Sequence, residues 1–355
     1  MIFGIPANYL KAANCFLRLY VVRGISNNFC HHLSNGYRIP GIITGSYYFT
    51  YTAKHQIDQM EVVKPNVESW NAAQLKDSGR RNSELCKTAH FKLDWYKKWC
   101  DAIRETPRLH RKQWEYVYIL QALHERGCLR EGKRGLGFAV GTEPLPSVMV
   151  GHGCTVMATD LDYERGESLG WDSGDQLCKG LNSLNERKIV PDEVFGQKAD
   201  YRAVDMNAIP QDLTGYDFNW SSCSFEHLGS IKKGLKFLKA QLDTLKPGGW
   251  AVHTTEYNVS SEFDTTTEHP NTVIFRRSDL EEFADWAERE GHYVEKLDFS
   301  LGTYPTDFSV DLPPYVSEPH VKLLLHGYVV TSIGLIIRKG DAGKKKTFWS
   351  RLTGT

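Results

Sequence analysis

Gly135-Leu-Gly-Phe-Ala-Val-Gly141 is the stretch that decides the fold of this 355-residue chain. Glycines at this density let a backbone approach a ligand with no side chain in the way. The N–H groups of such a turn, together with the start of a following helix, favour negative charge. From Arg134 onward the pattern runs strand, turn, helix. Thr155–Thr159 is a short apolar strand, and Asp160 ends it nineteen residues after Gly141. Phe218–Ser222 and Trp250–Thr255 supply two more strands. Between them, Ser230–Leu245 places Ile231, Leu235, Leu238 and Leu242 at helical intervals. Ser278–Glu290 opens with a capping-box spacing, Ser278 followed by Glu281. Strands alternating with helices predict an α/β fold, a doubly wound and mainly parallel sheet with helices on both faces. Such a sheet binds ligands beyond the carboxyl ends of its strands.

The strand ends carry the chemistry. In Ala158-Thr-Asp-Leu-Asp162, the Asp160 carboxylate can accept hydrogen bonds from both hydroxyls of a ribose. In Val204-Asp-Met-Asn-Ala-Ile-Pro210, Asp205 can bond an adenine amino group while Met206 packs on its ring. Ser221-Ser-Cys-Ser-Phe-Glu-His-Leu-Gly229 forms a polar strand end, and Leu245-Lys-Pro-Gly-Gly249 reads as a turn before the next strand. Leu301–His320, rich in Pro, Tyr and Asp, reads as a loop at the pocket mouth; Leu323–Leu325 and Val329–Ile337 finish the sheet as an antiparallel pair.

These marks together resemble the class I S-adenosylmethionine-dependent methyltransferases, over about 200 residues from Gly132 to Lys339. The resemblance implies S-adenosylmethionine as cofactor. The glycine motif, here Gly137, Ala139 and Gly141, would carry its methionine end. Asp160 with Leu161 would hold the ribose, Asp205 with Met206 the adenine, and the fourth motif would run from Ser221 through Ser222 to His227. Two departures stand out. The family places an acid where this chain has Gly135, and a glycine where it has Ala139. Glu143, just beyond the turn, is a candidate replacement for the missing carboxylate; as a plain first-turn acid it would complement the helix dipole instead.

Methyl transfer to a hydroxyl needs a base to take its proton. His227 beside Glu226 is the first candidate, with a packing role as its alternative; Glu256 and His253 follow on the next strand. Mixed His and carboxylate ligands suit divalent ions, but neighbouring residues at a strand end diverge and no tight ligand spacing occurs, so no metal is expected. The acceptor expected is a small molecule or glycan, with Asp311, Tyr315 and His320 shaping its cleft. Two other readings are an NAD-dependent oxidoreductase, because Gly135–Gly141 with Asp160 partly fits that fingerprint, and an inactive cofactor-binding module.

The remainder bounds the setting. Forty-three basic residues balance forty-three acidic ones, which disfavours nucleic acid as partner. Eight scattered cysteines with no C-x-x-C pair read as reduced core thiols, and no apolar run is long enough to span a membrane. Residues 1–57 form an extension with no Asp or Glu up to His55, suited to a loosely ordered or targeting segment. Residues 58–131 read as a mainly helical cap region with packing aromatics Phe91, Trp95, Trp99 and Trp114, residues 132–339 as the Rossmann-like domain, and 340–355 as a basic tail. The expected location is cytoplasmic. The oligomeric state is not encoded in any of these features.

Overall fold

The computed structural model describes residues 79–341, apart from 163, 165 and 167–176. The acid-free extension, the first part of the helical region and the basic tail beyond Asp341 therefore lie outside the described residues. Apart from His326–Tyr328, the described residues fall within one compact unit. Its first element is a short strand, β1 (Ser83–Glu84), followed by helices α1 (Asp94–Ala102) and α2 (Arg111–Glu125). Then come β2 (Arg134–Phe138), α3 (Leu145–Gly151), β3 (Thr155–Asp160), α4 (Asp192–Lys198) and β4 (Ala199–Ala203). They are followed by β5 (Tyr216–Ser221), α5 (Ile231–Ala240), β6 (Leu245–Asn258) and α6 (Arg277–Arg289). Short strands β7 (Tyr293–Val294), β8 (Leu297–Asp298) and β9 (Leu323–Leu325) lead to β10 (Tyr328–Arg338).

The main sheet has the order β4-β3-β2-β5-β6-β10-β7, with β9 also paired to β10, while β1 and β8 form a separate parallel pair. Strands β2 to β6 are mutually parallel, and β10 runs antiparallel to both β6 and β7. The order reverses between β2 and β5, which is the switch point where a doubly wound sheet opens a crevice at its carboxyl edge.

Period-two alternation sends successive side chains of each strand to opposite layers. Leu136 and Phe138 of β2 join Phe225, Phe237 and Phe283 on the α5–α6 side. On the other side, Phe218 and Trp220 of β5 meet Trp99, Trp114 and Met149. Helix α2 seats Tyr118 against Gly334 of β10 so closely that a Cβ there would lie 2.0 Å from the ring, and the Tyr118 hydroxyl donates to the Asn82 carbonyl at 2.5 Å. Of the aromatics expected to pack, Trp95, Trp99 and Trp114 are buried and Phe91 is partly buried against the same core.

Several element ends differ from expectation for local reasons. Strand β6 begins at Leu245 and absorbs the Pro-Gly-Gly stretch, with Gly248 taking φ 77°. Helix α5 stops at Ala240, and Gln241–Thr244 continues as a 3₁₀ turn. Helix α6 starts at Arg277, because Asp279 accepts from the Arg276 N–H at 2.8 Å, so the cap sits two residues before the Ser278–Glu281 pair. Among the described residues no helix is long and apolar enough to cross a membrane.

Candidate active site

The glycine turn leaves β2 through Ala139 and Gly141, both left-handed at φ 48° and 52°. An alanine there is strained, since only glycine visits this region without steric cost. The turn is tied to β3 by Asp160, which is buried at the strand end. Its Oδ2 accepts from the N–H groups of Gly141 (3.1 Å) and Cys178 (3.0 Å), and its Oδ1 from Leu161 (2.8 Å). Burial raises the Asp160 pKa, opposed by these three donors. Beside it lies a cavity of about 350 Å³ lined by Asp162, Cys178, Lys179, Gly180, Tyr201 and Ala203. Asp162 was not singled out from sequence. The signal was its place two residues after Asp160, which puts both acids on one side of an extended chain.

The missing acid at 135 has a steric explanation. Gly135 and Gly137 pair across the sheet with Phe218 and Trp220 of β5. A Cβ at Gly135 would sit 2.5 Å from the Phe218 ring, and one at Gly137 would sit 2.5 Å from both Trp220 and Val140. No carboxylate fits there. Instead the same Trp220 donates its Nε1–H to Glu143 Oε1 at 2.6 Å, holding a carboxyl that is only 5% exposed. Burial pushes the Glu143 pKa well above the usual range, the Trp220 bond opposes this, and Asp160 and Glu115 add to it.

After β4, Asp205 Oδ1 accepts from the Asn207 N–H at 2.8 Å, and Met206 is buried in the α5–α6 side of the core. Ser222, just past β5, donates to Glu115 Oε2 at 3.3 Å. His227 is half-buried, its Nδ1 bonded to the Asn271 carbonyl. His253 turns into the core: it shares a hydrogen bond with Ser221 Oγ (2.8 Å), its ring packs on Phe225 and Phe237, and burial lowers its pKa to about 3. Asp311 and His320 pair at 2.6 Å, with the His320 ring against Tyr315 and His110.

A buried ionic group that sequence reasoning missed sits beneath these residues. Arg111, at the start of α2, donates to Glu256 Oε1 (2.5 Å), Ser332 Oγ (3.1 Å) and Glu115 Oε1 (3.4 Å). Glu115 also accepts from Ser332 Oγ (2.5 Å) and Thr254 Oγ1 (2.8 Å). Burial works to raise the Glu256 pKa, but Arg111 and Lys112 outweigh it and hold the group below its usual value. Glu226 differs: burial raises its pKa, with His227 and Lys112 opposing. Adjacent Glu226 and His227 diverge, Glu226 inward to Thr255 and His227 outward to Asn271, but groups from separate segments come together. Cys223, Glu226 and Glu256 converge, each with a ligand atom within 4.8 Å of the others.

A scan of protein-family models finds no match, and no curated protein matches the sequence. Solved structures of low identity resemble parts of the fold. An S-adenosylmethionine-dependent methyltransferase from Clostridium acetobutylicum is 14% identical at a TM-score of 0.39, covering 71% of this chain and 97% of its own. The magnesium protoporphyrin IX methyltransferase of Synechocystis, solved with bound S-adenosylhomocysteine, is 9% identical at 0.39, covering 69% and 96%. The cyclase SpnF is 15% identical at 0.43, covering 75% and 100%. Likeness at this level to both transferases and a cyclase leaves the chemistry to be argued from the site itself.

Proposed function

We propose that the chain is an S-adenosylmethionine-dependent methyltransferase acting on a hydroxyl of a small molecule or glycan. The observation that carries this reading is the Asp160 carboxylate, which joins the end of β3 to the glycine turn that leaves β2 at the switch point, beside the cavity. The donor set suits the cofactor. Glu143 would meet its ammonium group, Asp160 with Leu161 the ribose, and Asp205 with Met206 the adenine, while Gly137, Ala139, Gly141 and Ser222 border its methionine end. When bound, the cofactor supplies a methyl group already activated on a sulfonium.

The protein's own part is then alignment and proton removal. The base comes from the residues after β5 and β6. A carboxyl whose pKa burial raises suits that task better than one held ionised by an arginine, which favours Glu226 over Glu256, with His227 beside it as the other candidate. Thermal melting with S-adenosylhomocysteine and with NAD tests the cofactor. A ligand at about one hundred times its Kd adds roughly 2.7 kcal/mol. Stabilisation by the homocysteine compound alone is expected. Stabilisation by NAD alone would replace this reading with an oxidoreductase, and by neither with a binding module of other specificity.

A further inference from the structure

The three converging groups after β5 and β6 are more deeply buried than a solvated acidic cluster. Glu226 is 0% exposed, Glu256 4% and Cys223 7%. Each carboxylate is only half satisfied. Glu226 Oε2 accepts from Thr255 Oγ1 at 3.0 Å, and Glu226 Oε1 is buried with no hydrogen-bond partner among the described residues. Glu256 Oε1 takes Arg111 at 2.5 Å and the Cys223 thiol at 3.6 Å, and Glu256 Oε2 is buried with no hydrogen-bond partner among the described residues. A buried, unpaired carboxylate oxygen costs about 1–3 kcal/mol or more, so two in one place call for a positive group that bonds them both. Arg111 does not provide it, because its hydrogen bonds go to Glu256 Oε1, Glu115, Ser332 and the Cys223 sulfur (3.9 Å), and the Lys112 ammonium is paired with Glu115 at 3.8 Å.

Charge points the same way. With His227 counted as neutral, three carboxylates (Glu115, Glu226, Glu256) outnumber two cations (Arg111, Lys112) among the described residues, which leaves one excess negative charge. A divalent ion bound with loss of the thiol proton returns the group to neutrality.

We propose that Cys223, Glu226 and Glu256 bind one divalent transition-metal ion of zinc-like character, a site independent of the cofactor reading. One sulfur and two oxygens match the mixed donors that such borderline ions accept. As the metal–sulfur bond forms, the Cys223 proton passes to solvent; no electron is transferred. The ligand atoms, already within 4.8 Å of one another, would draw in toward the ~3.5 Å separation of a tetrahedral shell with bonds of about 2.0–2.3 Å. The metal would take Glu226 and Glu256 out of proton transfer and leave His227 as the base.

The test uses the full chain, stripped with a chelator and titrated with cobalt(II), whose thiolate complexes show a sulfur-to-metal charge-transfer band in the near ultraviolet. One equivalent is expected to develop the band and zinc to bleach it. Cys223→Ser loses the band. Glu226→Gln, which keeps the carbonyl oxygen facing Thr255, keeps the fold and weakens cobalt binding about tenfold or more, each tenfold being about 1.4 kcal/mol. If Cys223→Ser does not fold, Glu226→Gln alone decides. No band in the native protein, a band surviving Cys223→Ser, or unchanged affinity in Glu226→Gln overturns the site, whatever the melting experiment says of the cofactor.

Discussion

Replacing Glu143 by glutamine separates stability from cofactor binding. The carboxyl is buried, and its pKa in the folded chain lies well above the value of 4.5 for a free glutamate. Between those two values the folded state holds a proton that the unfolded state releases. Stability of the native protein therefore falls as pH rises through that window. Glutamine cannot titrate, and it offers the same carbonyl oxygen to Trp220 Nε1, which now donates at 2.6 Å. At pH 7 the folded protein can carry at most the cost of ionising the group from its free value of 4.5, whatever its folded pKa. At about 1.36 kcal/mol per unit this bounds the gain from Glu143→Gln at about 3 kcal/mol, or roughly 5–10 °C in Tm. Asp160 titrates in both proteins and drops out of the comparison. Melting curves at several values between about pH 4.5 and about pH 8 should coincide at the acid end and diverge toward neutrality, with the variant more stable. Calorimetry should show the same variant binding S-adenosylhomocysteine more weakly, because an ammonium group would lose its carboxylate. Parallel pH profiles, or a variant less stable at neutral pH, would refute the buried-acid reasoning; equal affinity would remove Glu143 from the cofactor site.

Gly137→Ala drives a Cβ to 2.5 Å from Trp220 and Val140, so it should lower stability by about 1–3 kcal/mol, seen as a lower urea midpoint. An unchanged midpoint would mean that β2 and β5 can separate without cost. Arg111→Met strands Glu256 and Glu115 without their buried partner and should cost about 3–5 kcal/mol. Adding Glu256→Gln to that variant should recover part of the loss in a double-mutant cycle, and purely additive losses would deny the pair its coupling.

The parallel sheet was legible because alternation of strand and helix leaves few topologies, and Gly135–Gly141 with Asp160 fixed where it begins. What the pattern could not supply was register. Phe218 and Trp220 look like ordinary strand aromatics until β5 is paired with β2, and only that pairing explains why no acid can stand at 135. Arg111 and Glu115 escaped for a related reason. Four residues apart on a helix, they read as a solvated pair, yet they continue the stripe of Tyr118 and Ala122 and face the sheet. A charged pair extending an apolar stripe was the available signal. The convergence of Glu226 and Glu256 depends on how the turn after β5 folds back, a tertiary matter that spacing along the chain does not encode.

The seat of Tyr118 on Gly334 bears on how this protein can be cut. A fragment starting near residue 132, where sequence alone draws the catalytic boundary, would strip the ring from β10 and uncover a trough of bare backbone. It would also remove Arg111, leaving Glu256 without its buried guanidinium partner. The helical segment is thus part of the smallest autonomous folding piece, and a fragment for expression or domain exchange should begin before β1.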